Sequence, residues 1–333
     1  MFGDGKAGLV TCPTPVPKND LVLIKVHSAP MCTEYKAFKD GHRGEGFGHE
    51  AAGEVVEVAQ PGKVQVGDRV VVMPQYPCGT CALCLDGEYI HCQNLIDVHE
   101  TTGNTTGTHT YAEHLLKQDW LLIPIPDDMS YNHAAMACCG LGPTFGAMQL
   151  MDVDALDTVL ITGMGPVGLG GVINAVYRGA RVLVAEIHPY RAQLARDLGA
   201  GEVIDPRDDH AVEHILELTE GLGVDKAIDC SGVGPAQRLM IDAVRRKGQA
   251  SFVGQAGDLT IGVSRDMIDK GLTLRGAWHY NLADTPKIMK VIAQTGDLLD
   301  RFTTHTFPMK NVQEAWELQV TGECGKVVLD PWG

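Results

Sequence analysis

Residues 157–191 read DTVLITGMGPVGLGGVINAVYRGARVLVAEIHPYR. The run 159–162 is short, apolar and β-branched, which predicts a strand, and Gly163, Gly165 and Gly168 follow as G-x-G-x-x-G where a helix begins. Glycines at this spacing, with Pro166 and Val167 between them, allow a tight turn, a close backbone approach to pyrophosphate and tight packing of helix on strand. The helix N-terminus then presents unpaired N–H groups to an anion. Alone, the turn is a weak signal, since a glycine turn in an unrelated α/β fold can precede a surface Glu. The order strand, turn, helix, strand strengthens it, as does Glu186, which ends the second strand 18 residues after Gly168. A carboxylate there can accept hydrogen bonds from the ribose hydroxyls of a dinucleotide and repels a 2′-phosphate, so NAD is favoured over NADP. Arg191 nearby is the feature that speaks for NADP.

Downstream the alternation continues: helix 190–200, strand 201–205, helix 209–223, strand 226–232, helix 236–248, strand 249–255. Such alternation specifies a doubly wound parallel sheet, a Rossmann domain over residues 141–282. Residues 1–140 instead carry short β segments (LVLIKVHS, AAGEVVEVA, DRVVVMP) between Gly and Pro turns, which predicts a compact β-rich domain. The run SFVGQAGDLTIGV, 251–263, reads as further strand that could pair across a two-fold axis. No repeat or low-complexity linker interrupts the chain.

Four of the ten cysteines cluster, with Cys78, Cys81, Cys84 and Cys92 spaced C-x2-C-x2-C-x7-C in a lobe at about 76–94. Four thiolates close a tetrahedron around Zn²⁺ and leave no corner for water, so this site reads as structural. A nucleic-acid zinc ribbon is disfavoured because the lobe is short of Lys and Arg. A second constellation is dispersed: Cys32, His49 with Glu50, and the adjacent pair Cys138 and Cys139. Two thiolates and one imidazole would leave zinc an open corner, as a Lewis-acid site requires. Each of these residues taken singly is more often a packed core residue.

Composition narrows the function classes. Of the 333 residues, 27 are Lys or Arg and 42 are Asp or Glu, a net charge of −15 that argues against nucleic acid or an anionic membrane as partner. Hydrophobic content of 44% supplies a core, and no apolar run approaches the ~20 residues of a membrane span. The start, MFGDGKAGLV, lacks the features of a signal peptide, so the expectation is a cytoplasmic protein with reduced thiols.

Taken together, Cys32, GHE at 48–50, VGDRV at 66–70, the four-Cys lobe, GMGPVG at 163–168 and GKVVL at 325–329 resemble the zinc-containing medium-chain dehydrogenase/reductase family of alcohol and polyol dehydrogenases. The resemblance spans nearly the whole chain. It implies a GroES-like catalytic domain made of 1–140 and 283–333 around the NAD-binding domain, with two zinc ions per chain. Carried over by position, Cys32 and His49 match two catalytic zinc ligands. Counting back from Phe145 and Gly146 places the third at Cys139, with Cys138 the alternative. Glu50 matches an acid that fixes the metal's surroundings or ligates it transiently. Val253, Ala277 and His279 resemble residues that hold the nicotinamide, and Lys326 a basic residue near the pyrophosphate. The implied reaction is oxidation of a primary or secondary alcohol, with a polyol, sugar alcohol or cyclitol favoured by few aromatics and by Glu34, Tyr35, His279 and Tyr280. A homodimer or homotetramer is expected.

The chain departs from the family where a Ser or Thr relay usually stands two residues after the first Cys and a His five after it. Those positions are Glu34 and Ala37. Thr33, Glu34 or Tyr35 can replace the relay or be ordinary loop residues. Two rival readings follow. A zinc-independent NADPH enone reductase on this scaffold predicts no ligand set at Cys32 and His49, and a non-catalytic NAD-binding scaffold draws support from the missing relay.

Overall fold

A computed structural model describes residues 1–333. They form two compact units, residues 1–140 with 281–333, and residues 141–280. Strands are numbered along the chain. β1 Leu21–Pro30, β2 Ala51–Val58, β3 Arg69–Val72, β4 His114–Gln118 and β5 Leu122–Pro124 come first. β6 Thr158–Thr162, β7 Arg181–Ala185, β8 Glu202–Ile204, β9 Val224–Asp229, β10 Val244–Phe252 and β11 Thr273–Gly276 follow, and β12 Thr303–Pro308 and β13 Lys326–Asp330 lie near the C-terminus.

In the 141–280 unit, six parallel strands run in the order β11-β10-β9-β6-β7-β8. Their central members are continuous apolar runs because helices cover both faces of such a sheet. Leu160, Leu183, Ala227, Ile215 and Met240 make its core. Chain order reverses between β6 and β9, and in open α/β sheets ligands bind outside the carboxyl ends of strands at such a switch. Strand does not extend over 251–263. It ends at Phe252, and the next regular element is a π-helical segment, Val263–Asp269. The cause is local. The amides of Val253 and Gly254 both donate to the Asp229 carbonyl, and a Cβ on Gly254 would lie 2.4 Å from the Gly232 nitrogen, so the chain leaves β10 packed backbone to backbone on the turn after β9.

The other unit is one mixed sheet, β12-β13-β1-β2-β3-β5, with β4 also on β1. All its pairings are antiparallel except β12 with β13. The C-terminal stretch therefore completes the sheet begun by residues 21–30, through Ala29 opposite Leu329 and Pro30 opposite Val328. Its core gathers Ile24, Val26, Val55, Val72 and Leu329 around Trp316, which is 2% exposed. Phe38 stacks on Trp316 at 5.9 Å and Tyr111 tilts against it at 5.8 Å.

Candidate metal centre and dinucleotide turn

Because β1 and β2 are antiparallel neighbours, the end of one and the start of the other share an edge of the sheet. Cys32 stands two residues beyond β1, and His49 and Glu50 immediately precede β2. Cys139 arrives from the turns after helix Tyr131–Ala135. Ligand atoms of Cys32, His49, Glu50 and Cys139 all lie within 4.8 Å of one another, and His49 Nε2 is 3.2 Å from Cys139 Sγ. The two adjacent cysteines diverge. Cys138, with no exposed surface, donates from Sγ to the Val72 carbonyl at 3.2 Å and stays outside the cluster.

Glu34 holds this group in place. Its Oε1 accepts from His49 Nδ1 at 2.7 Å, and its Oε2 accepts from the Cys32 amide at 3.2 Å and the Tyr111 hydroxyl at 3.3 Å. A carboxylate on Nδ1 fixes the ring and turns Nε2 toward the sulfurs, the arrangement that orients histidine ligands in metal sites. Tyr111 escaped the sequence reading, because an aromatic in a Thr-rich loop carries no signal of its own. Thr33 is exposed, Tyr35 packs partly buried against the core, and neither bonds to the cluster.

The hydrogen bond with Cys139, then that with His49, pulls the Cys32 thiol well below its ordinary range against the cost of burial. Cys139 moves up because of the same bond and its burial. Burial opposes charge on His49, but Cys32 and Glu34 overcome it and lift the imidazole to about 11. Burial pushes Glu50 up to about 7, countered mainly by Lys326. Two thiols and one imidazole suit zinc in softness and charge, and beside them Glu50 Oε2 is buried without a hydrogen-bond partner. Lys326 has no exposed surface and donates to Glu50 Oε1 at 2.6 Å.

In the lobe, Cys78, Cys81, Cys84 and Cys92 form a second group. Their sulfurs stand 3.5 Å apart for Cys81–Cys84, 3.6 Å for Cys78–Cys92, 3.9 Å for Cys81–Cys92 and 4.0 Å for Cys78–Cys84. Zn–S bonds of about 2.3 Å imply tetrahedral edges of about 3.8 Å, so the group fits a closed zinc site without rearrangement. Amides of Cys81 and Asn94 point at Cys78 and Cys92 sulfurs from 3.4 Å each, as thiolates require.

Within the parallel-sheet unit, Gly163 has φ +82°, and a Cβ there would lie 2.7 Å from Ser231. One on Gly168 would sit 1.9 Å from the Gly163 carbonyl oxygen. Gly165, by contrast, caps helix Pro166–Tyr177 and has no protein atom within 4 Å of a Cβ, which leaves room over the helix N-terminus for a phosphate. Glu186 Oε2 accepts from the Met164 amide at 2.6 Å and Oε1 from the amides of Ile187 and His188, three of about four acceptor positions. Arg191 lies in the first turn of helix Pro189–Asp197, with its Nε buried and unpaired. Val253 and Ala277 directly follow β10 and β11 and are linked through Ala277 N to the Phe252 carbonyl, while His279 is 5% exposed. Asp229, another residue the sequence did not flag, ties this edge together. Fully buried, it accepts from Thr162, Ser231, Gly232 and Gln237.

Two family models match the chain, the alcohol dehydrogenase GroES-like domain over residues 18–127 and the zinc-binding dehydrogenase over residues 166–294. L-threonine 3-dehydrogenase of Pyrococcus horikoshii is 32% identical over 97% of this chain and 94% of its own. D-arabitol-phosphate dehydrogenase of Enterococcus avium is 29% identical over 98% and 95%. Among solved structures, an alcohol dehydrogenase from Thermus sp. ATN1 superimposes with a TM-score of 0.89, covering 99% of this chain and 98% of that one at 24% identity. No helix is long and apolar enough to cross a membrane. Full-length similarity to dehydrogenases, on a parallel-sheet unit joined to a GroES-like one, identifies the chain as a member of the zinc-type medium-chain dehydrogenase/reductase family, oxidoreductases acting on alcohols.

Proposed function

We propose that this protein is a zinc-dependent, NAD-linked dehydrogenase that oxidises a primary or secondary alcohol group of a small hydroxylated substrate to the aldehyde or ketone. One observation carries the reading. Cys32, His49 and Cys139 bring three donors to one point, and the fourth residue of the group, Glu50, is already engaged by Lys326. Zinc supplies Lewis acidity, which lowers the pKa of an approaching hydroxyl toward neutrality, and NAD supplies the acceptor for the hydride. The protein's part is to hold and orient. Glu34 fixes His49 through Nδ1, and burial of Cys32 and Glu50 keeps water from the inner side of the cluster.

At the dinucleotide turn, the amides following Gly165 would receive the pyrophosphate and Glu186 the adenosine ribose, its charge disfavouring a 2′-phosphate. With all of its polar contacts committed to His49, Cys32 and Tyr111, Glu34 is a positioning group rather than a proton relay. The names of the relatives, threonine and D-arabitol-phosphate dehydrogenases, support a polyol, its phosphate or a β-hydroxy acid as the substrate class.

The test is a panel of sugar alcohols, cyclitols, polyol phosphates and β-hydroxy amino acids assayed with NAD and with NADP, alongside metal analysis. NADH formation that disappears on chelation and returns with zinc is expected. Turnover unchanged in zinc-free protein, or tight NAD binding with no turnover across the panel, would refute the reading.

A further inference from the structure

Glu50 and Lys326 meet beside the Cys32–His49–Cys139 group, both without exposed surface, with Nζ to Oε1 at 2.6 Å. The second oxygen, Oε2, is equally sealed and accepts no hydrogen bond. A carboxylate oxygen shut away from water and from donors is costly to bury. A Glu50 oxygen also lies within 4.8 Å of both cluster sulfurs and the imidazole nitrogen. One carboxylate thus faces two cationic positions, an ammonium fixed by the fold and the ion that the cluster would hold.

We propose that Lys326 is a positioning residue that holds Glu50 short of the metal's fourth corner and so keeps that corner open to an exchangeable ligand. This rests on the function proposed above and adds the residue that sets the coordination number. Four protein donors are within reach, and zinc with four protein ligands is a closed, structural site. What separates the open from the closed state is where Glu50 places its charge. Lys326 cannot drift away, because it begins β13, opposite Thr303 of β12, and the next residue, Val327, accepts the Met31 amide at 2.8 Å. Without the ammonium, the buried carboxylate has only the metal to neutralise it.

The experiment uses the full chain loaded with Co²⁺ in place of zinc and reads its d–d absorption during titration with imidazole, together with chelator competition. Wild-type protein is expected to change spectrum as imidazole enters the open corner. Lys326→Met is expected to lose that response and to bind Co²⁺ at least about tenfold more tightly, and Lys326→Met/Glu50→Gln to recover the wild-type behaviour in both. A folded Lys326→Met that responds to imidazole as wild type does, or a gain in affinity that survives in the double variant, overturns the proposal. Should Lys326→Met not fold, Glu50→Gln decides. An unchanged d–d envelope is expected, since Glu50 is not on the metal, and an altered one means Glu50 already ligates and overturns the proposal. Wild-type protein that takes up Co²⁺ at the four-cysteine group alone fails the proposed function itself, a result visible before any substitution.

Discussion

The four-cysteine lobe takes its donors from residues 78–92, whereas Cys32, His49 and Cys139 lie as far as 139 − 32 = 107 positions apart and depend on β1, β2 and helix Tyr131–Ala135 to meet. The difference goes beyond distance along the chain. Sulfurs of the lobe surround a point completely and are steadied by local amides, while the dispersed group offers three donors and has its fourth restrained by Lys326. A short loop can close its own coordination shell. An incomplete shell has to be enforced from outside, by groups such as Glu34 and Lys326 that the sheet delivers.

Breaking the lobe should have the largest effect. Cys84→Ala removes one of its four ligands, and structural zinc contributes on the order of 10 kcal/mol of apparent folding free energy in small domains. Loss of zinc from the lobe, and of hydrogen-exchange protection confined at first to residues 76–94, is the expected result. Cys139→Ala should act oppositely: alcohol oxidation falls by about 10³-fold, about 4 kcal/mol, while thermal unfolding changes little. If both substitutions lower stability alike, the distinction between the groups is wrong.

Glu34→Gln should weaken metal binding at the dispersed group by about 10- to 100-fold and leave the lobe loaded, measured by competition with a chromophoric chelator. Glu34→Ser, which restores a hydroxyl at that position, should do no better, because orientation of His49 is what is lost. Protons sharpen the contrast further. Burial pushes Cys84 up to about 12, whereas hydrogen bonding at Thr80 pulls Cys78 down to about 6. Metal must displace the Cys84 proton at any pH below about 12 but the Cys78 proton only below about 6. Affinity of the lobe therefore rises with pH by about tenfold per unit for Cys84, and the dependence steepens below about pH 6, which zinc titrations from pH 5 to 8 would record. The smallest effect belongs to Cys138→Ala, which loses one buried hydrogen bond to Val72 and should cost about 1 kcal/mol of stability without altering metal content.

Legibility followed the range of the interactions. The turn at 163–168, the acid at 186 and the four-cysteine spacing are local patterns, and each could be singled out from the residues where it stands. The strand expected through 253–263 failed for a local reason with a distant partner, the packing of Gly254 on Gly232, which residue preference does not register. Between Cys138 and Cys139 the chain alone offers little choice. Only the register of the helix end against β3 sends one sulfur to the Val72 carbonyl and the other to His49.

By itself the sequence determined the class of fold, the dinucleotide turn, the lobe and the set of residues able to bind a metal, because periodicity, glycine spacing and ligand spacing act over a few residues. Tertiary structure decided which cysteine joins the open group, that Glu34 and Tyr111 steady His49, and that Lys326 pairs with Glu50. Those outcomes depend on burial and on side chains brought together from 15 to 276 positions apart, and a buried charge selects its partner only once the sheet has formed.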